Sequence, residues 1–338
     1  MILLTGASGV IGSALAPLLP QDRLILARHR ARPGGTARQV AVDIRHSKLG
    51  LSDADLQSLC GEVETIVHCA AITDMSGQVP ELGPTNIAGV QHVVDLAEAA
   101  GADLHFVSTA YCSETYGPAA PVASDYVASK RAAEALIRAS SVRWTITRPS
   151  IVAGHSESGA IASFQGFHMF IATILKGRLP IIPLARETQC DFVPVDWVAQ
   201  GIADIVRVPD WKRTYWLTSG AEALTIDEMM QVGTPRAAEL GRDLSAVTLT
   251  APACVERDVL PDLRPRMRER LSVLVELSKV MSRAQAFPSD LIETSKEALR
   301  RALLANIDFW VAETGHGAKN KRPAPVGGAS VPRERGSL

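Results

Sequence analysis

The chain has little that would direct it to a nucleic acid, a membrane or an oxidising compartment. Among 338 residues, 35 Lys and Arg nearly balance 36 Asp and Glu, giving a net charge of −1. That removes the electrostatic ground for binding nucleic acid or a membrane surface. No apolar run reaches the length of a membrane span, so none is expected. The five cysteines (Cys60, Cys69, Cys112, Cys190, Cys254) are an odd number without paired spacing. Inert, reduced thiols are expected from them, rather than disulfides or metal ligands. No internal repeat is present, and the chain opens directly on an apolar strand-like run, so no signal peptide is expected. These features point to a cytoplasmic protein, long enough for one large domain or two modest ones.

What is present is alternation. Apolar strand-like runs occur at Ile2–Leu4, Leu24–Ala27, Val40–Val42, Thr65–Cys69, Leu104–Val107 and Trp144–Thr147, with helical stretches between them, notably Val90–Ala100 and Tyr126–Ala139. This pattern predicts an α/β fold with a doubly wound parallel sheet of Rossmann type, whose ligand lies at the carboxyl ends of the strands. Pro17 falls within the first helical stretch, so that helix is either kinked or short, ending near Pro20.

The first strand runs into Thr5-Gly6-Ala7-Ser8-Gly9-Val10-Ile11-Gly12 and then a helix. In a strand–turn–helix unit, Gly6 permits the tight turn, Gly9 lets backbone approach a pyrophosphate, and Gly12 lets helix pack close to strand. Backbone N–H groups at the helix start then face the anion. A dinucleotide site is the expectation, and a simple structural turn is the alternative.

Tyr126 and Lys130 are four residues apart in a stretch of good helix formers and share one helix face. An ammonium beside a phenol lowers the phenol's pKa and makes it a usable proton donor or acceptor. Ser108 and Thr109 follow the apolar run Leu104–Val107. Read alone, the Tyr–Lys spacing also suits an ordinary solvated helix.

Together these motifs resemble the extended short-chain dehydrogenase/reductases. The resemblance runs from residue 1 to about Met230 and implies Thr109, Tyr126 and Lys130 as the catalytic set. It implies cofactor contacts from Thr5, Gly6, Ser8, Gly9, Val10, Ile11 and Gly12, from Ala70 and Ala71, from Asn86, from Tyr126 and Lys130, and from Pro149, Ser150 and Ile151. Asp43 and Ile44 resemble the family's adenine-contacting pair, although Asp43 also reads as a turn former. The second strand ends Ala27-Arg28-His29-Arg30, without the acid that holds a ribose 2′-hydroxyl. Arg28 and Arg30 suit a 2′-phosphate, so NADPH is expected, with NADH the alternative. These arginines, with Arg32, also read as a solvated loop.

Within that family, Asp43–Ser52, His68–Asp74, Val107–Tyr111, Arg148–Ser156 and Asp191–Asp196 resemble thioester reductase domains and fatty acyl reductases of the male-sterility type. That resemblance implies NADPH-dependent reduction of a CoA- or carrier-bound acyl thioester to an aldehyde or alcohol, with Tyr126 donating the proton. The stretch between Thr109 and Tyr126 is shorter than in those relatives, and with no adenylation or carrier segment within these residues the acyl group is expected to arrive from another protein or as a CoA ester. A small-molecule or carrier-bound acyl substrate is expected, with no nucleic-acid partner, no metal and, by resemblance, a homodimer. Two other readings stay open. One is a nucleotide-sugar epimerase or dehydratase, or a hydroxysteroid-type dehydrogenase; the other is a dinucleotide sensor without turnover.

The expected organisation is an NAD(P)-binding domain over 1–153 and 191–206. A substrate-binding lid region covers 154–190 and 207–312, including a strand at Thr214–Leu217, and a disordered tail covers 315–338. In the lid, His155 and His168 read as ordinary surface or packing residues before ligands. Phe164, Phe167, Met169 and Phe170 line an acyl pocket or simply pack a helix, and Glu114 reads as an exposed loop acid.

Overall fold

The computed structural model describes residues 1–30, 37–73, 79–115, 125–164, 166–175, 181–244, 247–281, 285–291 and 294–315. Arg32, Asp74 and the stretch 316–338 expected to be disordered lie outside these residues.

Six strands arise from the six apolar runs: β1 (Ile2–Thr5), β2 (Leu24–Arg28), β3 (Arg38–Ala41), β4 (Thr65–His68), β5 (Asp103–Val107) and β6 (Trp144–Pro149). Later come β7 (Ile151–Ala153), β8 (Ile181–Ile182), β9 (Gln189–Cys190), β10 (Phe192–Pro194), β11 (Arg213–Leu217), β12 (Leu224–Thr225) and β13 (Thr248–Leu249). Seven of them form one all-parallel sheet in the order β11-β6-β5-β4-β1-β2-β3. The order reverses between β1 and β4, so the crevice that receives ligands in such sheets opens at the carboxyl ends of these two strands.

The last strand corrects one expectation. Thr214–Leu217, expected within the substrate region, belongs instead to β11, which pairs in parallel with β6, Arg213 opposite Thr145 and Leu217 opposite Pro149. Tyr215 and Leu217 are buried in the core that the sheet shares with Val198 and Ile202. Alternate apolar residues on an outer strand are satisfied by the sheet and the helix beside it, and sequence distance from the other strands does not reveal this.

Helices cover both faces. On one lie α2 (Asp53–Glu62), α3 (Gly89–Ala100) and α4 (Asp125–Ala139); Val90, Val93, Val94 and Ala97 recur at helical spacing and pack on Leu3, Ile66 and Leu104. On the other lie α1 (Val10–Leu15) and α6 (Val195–Arg207), packed through Leu15, Val198 and Ile202. The first helix is short rather than kinked: α1 ends at Leu15, and Pro17 sits in the first turn of the 3-10 segment Ala16–Leu18.

A second core gathers α5 (Gly166–Leu175), α7 (Ile226–Glu239) and α10 (Lys296–Thr314) around Phe167, Phe192, Leu224, Met229, Leu303 and Trp310. Between α7 and α10 come α8 (Pro252–Asp258) and α9 (Pro265–Met281). Among the described residues no helix is long and apolar enough to cross a membrane.

Candidate active site

The glycine turn is built by close approach. Gly6 has φ +70°, and a Cβ there would lie 2.5 Å from the backbone nitrogen of Ala70. A Cβ on Gly12 would lie 2.2 Å from the Gly6 carbonyl oxygen, so only glycine lets α1 start this near the strand. Gly9 differs. Its N–H donates to the Gly6 carbonyl at 2.9 Å, and a Cβ there would meet only that carbonyl oxygen, at 3.2 Å. Ser8 and Gly9 are exposed at the lip of the turn, and no side chain caps the first turn of α1, which begins at Val10 and Ile11.

Thr5 joins the two central strands at this edge. Its hydroxyl bonds His68 Nδ1 at 2.7 Å and accepts from the Ala70 N–H at 3.3 Å. His68 is buried, and burial holds its imidazole down at about 3, so the ring is neutral. Beyond Ala70 and Ala71, Asn86 clamps the chain in both directions. Its amide oxygen accepts from the Ile72 N–H at 2.9 Å, and its amide nitrogen donates to the Ile72 carbonyl at 2.9 Å and to Ser129 Oγ at 3.1 Å. Asn86 thereby fixes the loop after β4 to α4.

At the end of β5, Thr109 lies buried in extended backbone and begins a 3-10 turn over Ala110–Cys112. Its hydroxyl accepts from the Tyr111 N–H at 3.4 Å and lies beside the buried phenol of Tyr126. Burial pushes the Tyr126 pKa up and outweighs the opposing pull of the Thr109 hydroxyl. The net lowering expected from Lys130 is therefore not what this geometry produces. Lys130 instead donates from Nζ to the Val107 carbonyl at 2.9 Å, with the ammonium 4.7 Å from the centre of the Phe106 ring. Burial lowers its pKa to about 8, while Cys112, Cys69 and Glu134 pull upward.

Pro149, Ser150 and Ile151 lie at the end of β6 and the start of β7. The Ser150 N–H donates to the Leu217 carbonyl at 3.2 Å, while its buried hydroxyl has no protein partner among the described residues. At the end of β2, Arg28 Nε is likewise buried and unpartnered, and Arg30 is exposed two residues on. Asp43 is already engaged: Arg45 takes its carboxylate from two sides at 2.6 to 3.2 Å and holds its pKa well below the usual range. Ile44 packs against Gly89, and its carbonyl bonds His92 Nδ1 at 2.8 Å.

The structure thus brings Thr5 to Gly12, Ala70, Ala71, Asn86, Thr109, Tyr126, Lys130 and Pro149 to Ile151 to one sheet edge, with Arg28, Arg30, Asp43 and Ile44 on the β2–β3 side. These residues fit a dinucleotide. Gly9 leaves backbone approachable at the start of α1, and Ser150 and Arg28 hold buried polar atoms that protein does not satisfy. Glu114 is exposed, and His155 lies 3.9 Å from Asp196. His168 is buried beside Phe164 and Phe167; Met169 is exposed, and Phe170 is half-buried. None of the five cysteines is in a disulfide, and no metal-binding cluster of His, Cys, Asp or Glu occurs among the described residues.

Sequence reasoning missed Glu134. It is buried on α4 and receives Ser108, Cys112 and Arg148. The signal was present: 126, 130 and 134 step four at a time along one face, and an acid on that inward stripe requires a buried partner.

Fold and edge together define an NAD(P)-dependent oxidoreductase with a nicotinamide cofactor. A family model described as male sterility protein matches residues 36–121 and 118–202. Over that stretch the chain carries a male-sterility-type NAD-binding domain, the group its motifs resemble. It is similar to fusarin C synthetase of Gibberella moniliformis, 26% identical over 258 residues, which cover 68% of this chain and 6% of that protein. The chain therefore spans only a small part of such synthetases. It is also similar to the ceramide reductase of Caulobacter vibrioides, 27% identical over 214 residues covering 62% of each. Its fold matches the terminal R domain of the myxalamid PKS-NRPS biosynthetic pathway, with a TM-score of 0.73 and 24% identity over 96% of this chain and 92% of that one.

Proposed function

We propose that this chain reduces an acyl thioester, CoA- or carrier-bound, to an aldehyde with NADPH. The observation that carries the proposal is the convergence of two buried hydroxyls, Thr109 and Tyr126, with the buried Lys130 at the carboxyl edge of the sheet. The likeness to reductase domains of thiotemplate synthetases supports the thioester as substrate.

A bound nicotinamide would supply the hydride. Tyr126 donates its proton to the oxygen of the reacting carbonyl, and Thr109 hydrogen-bonds the same oxygen as charge develops there. A phenol whose pKa is pushed up by burial holds its proton until the oxyanion forms. Lys130, on the same helix face, supplies the cation that offsets the resulting phenolate. The hemithioacetal then collapses: its hydroxyl proton returns to Tyr126, the C–S bond breaks, and the departing thiolate takes a proton from solvent. Atoms and charge balance as thioester, NADPH and a proton giving aldehyde, thiol and NADP⁺. A second hydride would carry the aldehyde to an alcohol.

NADPH is preferred because Arg28 presents an unpaired buried Nε at the end of β2. The nearby acid, Asp43, is already taken up by Arg45. The helices α5, α7 and α10 are proposed to flank the acyl group.

The test is NADPH consumption by the purified protein against acyl-CoA and acyl-pantetheine thioesters, with free aldehydes and ketones alongside. Thioester-dependent oxidation is expected. Activity confined to aldehydes or ketones would remove the thioester reading and keep the reductase.

A further inference from the structure

Glu134 lies two turns along α4 from Tyr126 and one turn from Lys130, with its carboxylate buried. Oε1 accepts from Ser108 Oγ at 2.6 Å, from Arg148 Nε at 2.9 Å and from Cys112 Sγ at 3.1 Å. Oε2 accepts from Arg148 Nη2 at 2.7 Å and from Arg138 Nη2 at 3.3 Å.

Arg138 lies on α4 itself, and the other partners come from two further segments of the candidate site, the Thr109 turn and the end of β6. Ser108 precedes Thr109. Cys112 closes the turn that Thr109 begins, and its single thiol proton is shared between Glu134 Oε1 and the Thr109 carbonyl, each 3.1 Å from Sγ. Arg148 precedes Pro149 and Ser150, and its guanidinium stacks over Trp216, 5.0 Å from the ring centre. On α4 itself, Arg131 Nε donates to the Cys112 carbonyl at 2.8 Å, a second tie between helix and turn.

We propose that Glu134 is a positioning residue for the reduction: its carboxylate fastens the Thr109 turn and the end of β6 to the helix that carries Tyr126 and Lys130. The inference rests on the functional reading above. A buried carboxylate accepting several charge-assisted or hydroxyl bonds is strongly directional, because each lost partner leaves an unsatisfied charge. The three segments therefore move as one unit, and the Thr109 and Tyr126 hydroxyls stay in register.

The same carboxylate bears on Lys130. The charged or titratable groups facing Lys130 are His68 and Cys69 from the end of β4, Cys112 from the turn, and Glu134 on its own helix. Of these Glu134 alone is an anion near neutral pH, because burial raises its pKa but Arg148 and Ser108 more than reverse that and hold it at about 2. The Lys130 ammonium therefore keeps its proton to higher pH when Glu134 is charged.

The test compares wild type, Glu134→Gln and Ser108→Ala. Glu134→Gln keeps the shape and removes the charge; Ser108→Ala cuts one tie to the turn and leaves the ion pair. For Glu134→Gln, kcat is expected to fall roughly 100-fold, as for a small misplacement of reacting groups. KM and the NADPH Kd stay within about threefold, and the basic limb of the kcat–pH profile moves to lower pH. Ser108→Ala is expected to lose about tenfold in kcat with that limb unmoved. Independently of turnover, alkylation of Cys112 is followed by mass spectrometry, with the buried Cys190 as internal control. Glu134→Gln should accelerate Cys112 alone.

A Glu134→Gln protein with a lower Tm, but with kcat per NADPH site and the pH limb unchanged, would overturn the proposal and leave a purely structural ion pair. Equal alkylation of Cys112 in wild type and variant would overturn the fastening itself. Wild-type protein that binds NADPH yet turns over no thioester, aldehyde or ketone would sink the functional reading instead, and the Cys112 rates would still decide the fastening.

Discussion

The Lys130 ammonium donates to the carbonyl of Val107 at 2.9 Å, two residues before Thr109, so the helix bearing Tyr126 is pinned to the strand that delivers its hydroxyl partner. The lysine holds a strand end in place as well as carrying charge. Both roles depend on its being buried and protonated.

Loss of that proton sets the first prediction. Burial depresses the Lys130 pKa to about 8, so the cation is present below that pH and disappears as pH rises through it. Turnover should fall along a single basic limb centred near there, and kcat measured against pH checks it. A plateau continuing through pH 9 would contradict this assignment of the charge.

Tyr126→Phe should reduce kcat by roughly 100-fold or more, the usual range for a lost general acid. The phenol is buried against the Val127 and Phe287 cluster, so the ring's packing survives in Phe. NADPH affinity, read by fluorescence titration, should change little. Unchanged turnover would remove Tyr126 from the chemistry.

Arg28→Ala should weaken NADPH binding by about tenfold or more while leaving NADH nearly unaffected, because only the former offers a phosphate to the guanidinium. Parallel titrations with the two cofactors measure it. Equal losses for both would place Arg28 in the sheet's packing alone.

Glycine substitutions should separate close approach from tolerance. A Cβ on Gly12 would lie 2.2 Å from the Gly6 carbonyl oxygen, whereas one on Gly233 in α7 would meet only Ile307 Cδ1 at 3.8 Å. Gly12→Ala should lower the Tm and abolish dinucleotide binding. Gly233→Ala should be neutral or stabilising by up to about 1 kcal/mol, the helix-propensity difference. Thermal melts with and without NADPH distinguish the two.

The stability of the Glu134 network should depend on acid. Its folded pKa of about 2 lies below the ordinary 4.5, so its stabilisation is full above pH 4.5 and is lost as pH falls toward 2. The shift corresponds to roughly 3 kcal/mol. Urea unfolding of wild type and Glu134→Gln should differ most near neutrality and converge near pH 2. A constant difference would show that the charge is not what matters.

Much of the fold was legible because buried parallel strands are written as short apolar runs: Ile2–Leu4, Thr65–Cys69 and Leu104–Val107 became β1, β4 and β5 with only end residues shifted. The glycine turn and the Tyr126–Lys130 spacing were equally readable, since both are local. What was not readable depends on contacts made across the chain. The place of β11 in the main sheet follows from its pairing with β6, not from its own sequence. The turning of Lys130 toward Val107, and the rise rather than fall of the Tyr126 pKa, follow from burial, which spacing along a helix does not report. Glu134 sat on the inward stripe of α4, but its meaning required Ser108 and Arg148, each brought there by a different strand.

The central claim is tested most directly by following the hydride. The protein is incubated with an acyl-CoA and NADPH deuterated at the transferable C4 position, and the products are analysed by mass spectrometry and a thiol assay. The account predicts free CoA together with an aldehyde carrying deuterium on its carbonyl carbon, or the corresponding alcohol, and loss of both products in Tyr126→Phe. Intact acyl-CoA and, in a parallel incubation, intact acyl-pantetheine thioester, with no deuterated product from protein that binds NADPH normally, would contradict it.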